Sequence, residues 1–179
     1  MRDEKVVYKG KIFTITEYEI VDNKGVKHTV EKGYRPDIVT IIGMTKDNKI
    51  LMIKEFRAGS KDYILWLPGG RVKKNENFKR AALREFEEET GYTTRKLTLF
   101  HKRQPSDNFS GEGRVFLAKD IRLSNSKSND GDEEGRIIII KLSLSKLVKM
   151  ALKSKIPNEF FSYLILRLNY LVQRGKLEI

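Results

Sequence analysis

Apolar and polar residues alternate in short runs along most of this chain, and the pattern changes to helical spacing in three places. Residues 6–8, 12–20 and 26–30 read as short antiparallel strands, the last two joined by the turn Asp22-Asn23-Lys24-Gly25. Residues 38–44 and 50–56 predict a second hairpin around Lys46-Asp47-Asn48-Lys49. A short apolar strand at 63–67 stops at Pro68-Gly69-Gly70. Helical spacing then covers 77–90, and Gly91 is placed to end it. Strands at 97–102 and 114–118 flank a loop over 104–113. Residues 124–135 are polar and read as a loop, and 137–142 form the last strand. Helices over 145–154 and 158–174 close the chain, with Pro157 assigned to the first turn of the second. On that second helix Phe161, Leu164, Ile165, Leu168 and Leu171 share one face, the pattern of a core or subunit contact. The pattern suggests a small N-terminal sheet over residues 1–35 attached to a main body over 36–179.

Composition narrows the class of protein. Length fits one domain with a small extension. With no cysteine, disulfides, thiolate metal sites and cysteine nucleophiles are excluded. The apolar runs are too short to span a bilayer, and the N-terminus lacks the apolar core of a signal peptide. A cytoplasmic protein is the expectation. The net charge of +12 fits either a lysine-rich solvated surface or attraction of anions such as phosphates. His28 and His101 are isolated and read as surface or structural.

The chemistry concentrates in residues 70–92. Glu85, Glu88 and Glu89 stand three and four residues apart, so a helix places all three carboxylates within a ~60° sector on either side of Glu85. Like charges stacked in this way destabilise a bare helix. A divalent cation is the simplest compensator, and hard oxygen ligands suit Mg2+ or Mn2+ over zinc. The Gly69 carbonyl is a candidate further ligand. Leu83, Phe86 and Ala82 occupy an adjacent apolar sector, while Glu87 points away and reads as solvated. Arg84, four residues before Glu88, can hold that carboxylate in place. Glu76 suits the positive end of the helix dipole and lies two turns before Arg84. The implied chemistry is metal-assisted attack of water on a phosphoanhydride. The bland alternative, a charged surface helix, would not fix glycine, arginine and glutamate at these separations.

Gly70, Glu76, Arg84, Glu85, Glu88, Glu89 and Gly91 resemble the Nudix hydrolase box at every charged and glycine position, with Phe86 and Tyr92 where aliphatic residues are usual. The resemblance implies an α/β (α+β) Nudix fold, a mixed sheet sandwiched between helices. It implies that Glu85, Glu89 and Glu88 hold the metal, and that one of them or a carboxylate from another loop activates water. The chain is most similar to the ADP-ribose pyrophosphatase subfamily. Lys54-Glu55-Phe56-Arg57 resembles its Gln-aromatic-Arg segment, and residues 105–112 resemble its catalytic loop, which makes Glu112 a candidate base or further ligand. The subfamily's N-terminal strands are exchanged between subunits, so a homodimer is implied. Two departures put the leaving group in question. Asp107 replaces the subfamily's diagnostic proline, and Trp66 replaces a substrate-contacting glutamate.

The expected catalytic set is therefore Glu88, Glu112 and Arg84. Arg57 is a candidate phosphate clamp, because guanidinium matches phosphate bidentately. Arg71 is a second candidate for the same anion, and the Trp66 indole can either stack on a base or sit in the core. The run His101-Lys102-Arg103 reads as surface, with substrate steering as the weaker reading. ADP-ribose cleaved to AMP and ribose 5-phosphate is the leading expectation. Another nucleotide sugar, a dinucleoside polyphosphate or an RNA cap is the rival substrate. A nucleotide sensor without activity is the rival class. No RNA-binding module is visible, so nucleic acid is the weaker partner.

Overall fold

The computed structural model describes residues 4–57, 59–124 and 137–178. The predicted loop at 124–135 lies, apart from Ser124, outside the described residues.

Three strands, β1 (Lys5–Lys9), β2 (Thr14–Val21) and β3 (Lys27–Tyr34), form the predicted antiparallel N-terminal sheet in that order. The main body is a six-stranded mixed sheet. Its strands are β4 (Ile38–Met44), β5 (Lys49–Arg57), β6 (Asp62–Trp66), β8 (Lys96–Arg103), β9 (Gly113–Lys119) and β11 (Ile137–Ser143). They lie in the order β11-β5-β4-β9-β8, with β6 added along β5. A small pair not anticipated from the sequence, β7 (Tyr92–Thr93) with β10 (Arg122–Leu123), closes one corner. The pairing of β4 with β9 is parallel, and the other pairings in this sheet are antiparallel.

Helix α1 (Phe78–Thr90) covers one face and the pair α2 (Leu144–Leu152) and α3 (Glu159–Gln173) covers the other. The alternation of each strand sends successive residues to opposite faces. Leu51 thus packs with Ala82 and Phe86 of α1, whereas Ile50 and Met52 pack with Leu147 of α2 and Leu164 of α3. Residues 39–44 of β4 are all buried, as a strand covered on both faces requires. The expected arrangement of a mixed sheet between helices is what forms. Among the described residues, no helix is long and apolar enough to cross a membrane.

Several local expectations needed correction. Pro157 precedes the cap of α3 instead of entering its first turn, because the Asn158 side chain accepts from the Phe161 N–H and so starts the helix after itself. Ser143 caps α2 in the same manner, which moves its start forward to Leu144. The buried face of α1 uses Ala81 together with Ala82 and Phe86, while Leu83 is only partly buried. Most consequentially, the second hairpin forms only at its turn. Gly43 pairs with Leu51 and Met44 with Ile50, and then β4 and β5 diverge. The chain leaving β6 fills the gap. Ile41 N–H donates to the Pro68 carbonyl (2.8 Å), Val39 N–H to the Gly70 carbonyl (2.9 Å) and Val72 N–H to the Asp37 carbonyl (2.9 Å).

Candidate active site

The wedge at residues 68–72 delivers the Gly69-Gly70 corner to the start of α1. Asn77 caps α1 by accepting from the Arg80 N–H, and Gly91, in the left-handed conformation, ends it. The helix between these stops is as expected, and its acidic ridge faces a cleft of about 840 Å³. Glu85, Glu88 and Glu89 all line that cleft, as do Gly69, Arg84, Arg57, Arg71 and Trp66.

Arg84 organises the ridge. Its Nε and Nη2 donate to the two carboxylate oxygens of Glu76 (2.9 Å each), a bidentate clamp across two helical turns. Its Nη1 donates to both Glu85 Oε1 and Glu88 Oε2 (2.8 Å each), and Nη2 also reaches the Arg71 carbonyl (3.0 Å). The clamp holds the Glu76 carboxyl down at about 2 and raises the arginine further above its ordinary range. One guanidinium therefore fixes two ridge carboxylates relative to the helix start and to the wedge.

Glu89 has a different environment. Its Oε2 accepts from the Gly69 N–H (2.8 Å). Burial, then the neighbouring charges of Glu85 and Glu55, push its carboxyl up to about 8 against the lowering by the Gly69 hydrogen bond and the Arg57 charge. A carboxylate held this way is short of positive charge. Gly70 is packed so tightly on the ridge that an added Cβ would lie 2.4 Å from the Glu85 carboxyl carbon. The donor set is hard oxygen throughout, and the charge it lacks is what a divalent cation supplies, so the residues fit Mg2+ or Mn2+. Among the described residues no three carboxylate or imidazole side chains form a closed metal cage. Arg84 bridges two of the candidate ligands instead.

Three residues stand differently from expectation. Glu112 does not line the cleft; its carboxylate pairs with Arg114 (Nε–Oε1 2.8 Å), which holds its pKa below the ordinary range. Its loop is tied to the N-terminal sheet instead, through Gly33 N–H to the Asn108 carbonyl (2.8 Å) and Ser110 N–H to the Gly33 carbonyl (2.9 Å). Glu87 is not merely solvated, since its carboxylate accepts from the Ser124 hydroxyl. Trp66, expected either to stack on a base or to sit in the core, is neither fully buried nor free of the core: it lines the cleft and packs edge-on to Phe161 (4.7 Å between centroids).

Residues missed in the sequence complete the cleft. Arg35 and Pro36 reach it from the end of β3, Glu55 from β5, Arg103 from β8, and Asn158, Phe160 and Phe161 from the start of α3. Arg57 Nη2 lies 2.6 Å from Glu55 Oε2, and its guanidinium sits 5.0 Å over the Trp66 ring. The Nε atoms of Arg35 and Arg57 are buried without a hydrogen-bond partner among the described residues. In the sequence Arg103 stood out only as the end of a basic run, Glu55 only within the segment around Arg57, and Phe161 only as part of the apolar stripe of α3.

Residues 34–149 match the family profile described as NUDIX domain. The chain is 30% identical over 171 residues to an ADP-ribose pyrophosphatase of Bacillus subtilis (strain 168), covering 91% of each protein. It is 27% identical over 163 residues to a methanol dehydrogenase activator of Bacillus methanolicus, covering 86% of each. A crystal structure of an ADP compounds hydrolase superposes with a TM-score of 0.80 at 24% identity, over 98% of this chain and 95% of that one, which is a likeness of fold. With the box carried on the predicted loop and helix, and a family match across well over half its length, the chain belongs to the Nudix hydrolase family.

Proposed function

We propose that this enzyme hydrolyses the pyrophosphate bond of ADP-ribose to AMP and ribose 5-phosphate. The observation that carries the reading is the acidic ridge of α1, clamped by Arg84 and aimed into a cleft lined by Arg35, Arg57 and Arg71. The similarity to the Bacillus subtilis pyrophosphatase supports ADP-ribose over other nucleoside diphosphate derivatives. Glu85, Glu89 and Glu88, with the Gly69 carbonyl, are the residues that would hold Mg2+ or Mn2+. A bound divalent ion would neutralise the diphosphate and polarise the attacked phosphorus. Arg57 and Arg71 orient the diphosphate by hydrogen bonds to its oxygens. Glu88 is the proposed proton acceptor, because its side chain is 41% exposed against 15% for Glu85. Glu88 lines the cleft and Glu112 does not, which favours Glu88 over Glu112 in that role. Arg84 is a positioning residue that keeps Glu88 oriented.

Product analysis tests the reading. Incubation with Mg2+ and ADP-ribose, sugar nucleotides, NADH, dinucleoside polyphosphates and capped RNA should give AMP and ribose 5-phosphate from ADP-ribose at the highest kcat/KM. Faster release from capped RNA or a dinucleoside polyphosphate would replace ADP-ribose as substrate. Tight nucleotide binding without product would make the protein a sensor.

The N-terminal residues 1–35 are proposed as a dimerising extension. The exposed apolar side chains Val6, Val7, Tyr8 and Val21 on that sheet support it. Sedimentation equilibrium of the full chain should give about twice the 20.8 kDa protomer mass; a monomer at micromolar concentration would remove this part of the reading. The lack of cysteine is consistent with a cytoplasmic location.

A further inference from the structure

We propose that Phe160, at the start of α3, is the surface on which the nucleotide base stacks, and hence the residue of the cleft that selects ligands carrying a flat ring. The inference rests on the proposed nucleotide substrate. The cleft has two chemically different parts. One is the acidic ridge with Gly69 and Gly70, suited to a metal and a diphosphate. The other is aromatic and cationic, built where β6 and β8 meet the start of α3.

Three aromatic side chains line the cleft among the described residues: Trp66, Phe160 and Phe161. Phe161 is only 4% exposed and serves as support, edge-on to Trp66. The Trp66 ring already carries the Arg57 guanidinium, which the ion contact with Glu55 holds in place. Phe160 is partly exposed, and its ring is backed by Tyr163 (6.2 Å, interplanar angle 22°) and His101 (5.6 Å). Arg103 lies over the Phe160 ring at 5.3 Å, and no ion pair to Arg103 is formed among the described residues. A guanidinium over an aromatic ring occupies the place a base takes when it stacks, and the two can share it as a sandwich. The buried, unpartnered Nε donors of Arg35 and Arg57 belong to the same cleft and are suited to acceptor oxygens of the ligand. Stacking of this kind reads a flat ring and little else, since every base has a π-face. The ligand class is therefore a nucleoside diphosphate derivative held at its base end by a ring, with identity of the base left to the arginine donors.

Trp66 is the chain's single tryptophan and stands in the cleft, so its emission reports binding without turnover. AMP and ribose 5-phosphate are titrated separately, in EDTA, into the full-length wild type and the variants Phe160→Leu, Phe160→Ala and Phe160→Tyr. Phe160→Leu keeps most of the apolar volume against Phe161 and removes the π-face. The expected result is that Phe160→Leu and Phe160→Ala weaken AMP roughly tenfold or more and leave ribose 5-phosphate within about twofold, while Phe160→Tyr restores AMP. Melting curves of the variants separate loss of stacking from loss of fold. Equal weakening of both ligands in Phe160→Leu, or unchanged AMP affinity, overturns the assignment while leaving ADP-ribose hydrolysis intact. A wild type that takes ribose 5-phosphate but not AMP overturns the nucleotide reading and this one together.

Discussion

Replacing Glu89 with Gln is expected to lower kcat for ADP-ribose by at least about 100-fold, since metal sites supply several kcal/mol of transition-state stabilisation. The same change should make the metal-free protein harder to unfold at alkaline pH. The Glu89 carboxyl is pushed up to about 8 by burial and by Glu85 and Glu55, from an ordinary value of 4.5. Between those values the folded chain holds a proton that the unfolded chain has released. The stability this contributes is full below pH 4.5 and is lost as pH rises through about 8. Gln removes the titration and can still accept the Gly69 N–H through its amide oxygen. The wild-type melting temperature in EDTA should therefore fall between pH 6 and pH 9 by an amount on the order of several degrees more than that of the variant. Added Mg2+ should restore the wild type most at high pH, where no proton competes for the carboxylate. Glu76 contributes in the opposite direction: the Arg84 clamp holds its carboxyl at about 2, so that stability is present above 4.5 and is lost as pH falls through 2. Wild-type turnover in the Glu89→Gln protein would remove Glu89 from the mechanism. Parallel pH profiles for the two proteins would show that burial does not perturb this carboxyl.

The second large effect belongs to Gly69. Its φ of 155° is one that side-chain-bearing residues rarely adopt, and an added Cβ would lie 2.1 Å from the Val39 carbonyl oxygen and 2.9 Å from the Thr40 Cα. Those atoms are backbone of the central strand β4, which is packed on both faces and cannot give way cheaply. Gly69→Ala should cost about 3 kcal/mol or more of stability, from backbone strain together with the steric clash. It should also pull the wedge from β4 and take the Gly69 N–H away from Glu89. Gly70→Ala is the useful contrast. There the three atoms nearest the added Cβ all belong to the Glu85 carboxyl group, the far end of a side chain and not backbone. Activity should fall in Gly70→Ala while stability changes by less than about 1 kcal/mol. Denaturation midpoints and kcat measured on both variants check the pair. A Gly69→Ala protein within about 0.5 kcal/mol of wild type would mean that the wedge is not held as the structure has it.

How much of the site was legible follows from how local each part is. The bounds of α1 were readable because Asn77 and Gly91 are stop signals acting on neighbouring backbone. The clamp on Glu76 and Glu88 was readable because both lie whole turns from Arg84. The buried core stripe of α3 was readable for the same reason at Phe161, Leu164, Ile165 and Leu168. The divergence of β4 and β5 was not. Alternation identifies both strands but says nothing about which partner each prefers, and β4 pairs with β9 over six register positions against two with β5. Glu112 carried a motif resemblance, yet its side chain has Arg114 two residues away as a competing partner.

The amino-acid sequence alone determined the acidic ridge, its arginine clamp and the divalent-ion chemistry they suit, because helical periodicity converts spacing directly into shared direction. Only the tertiary structure decided that Glu89 is the carboxylate starved of solvent and that Gly69 must lie against β4. It alone decided that Arg35, Arg103 and Phe160 complete the cleft. Burial and convergence of this kind arise where segments far apart in the chain meet, and no local repeat encodes that meeting.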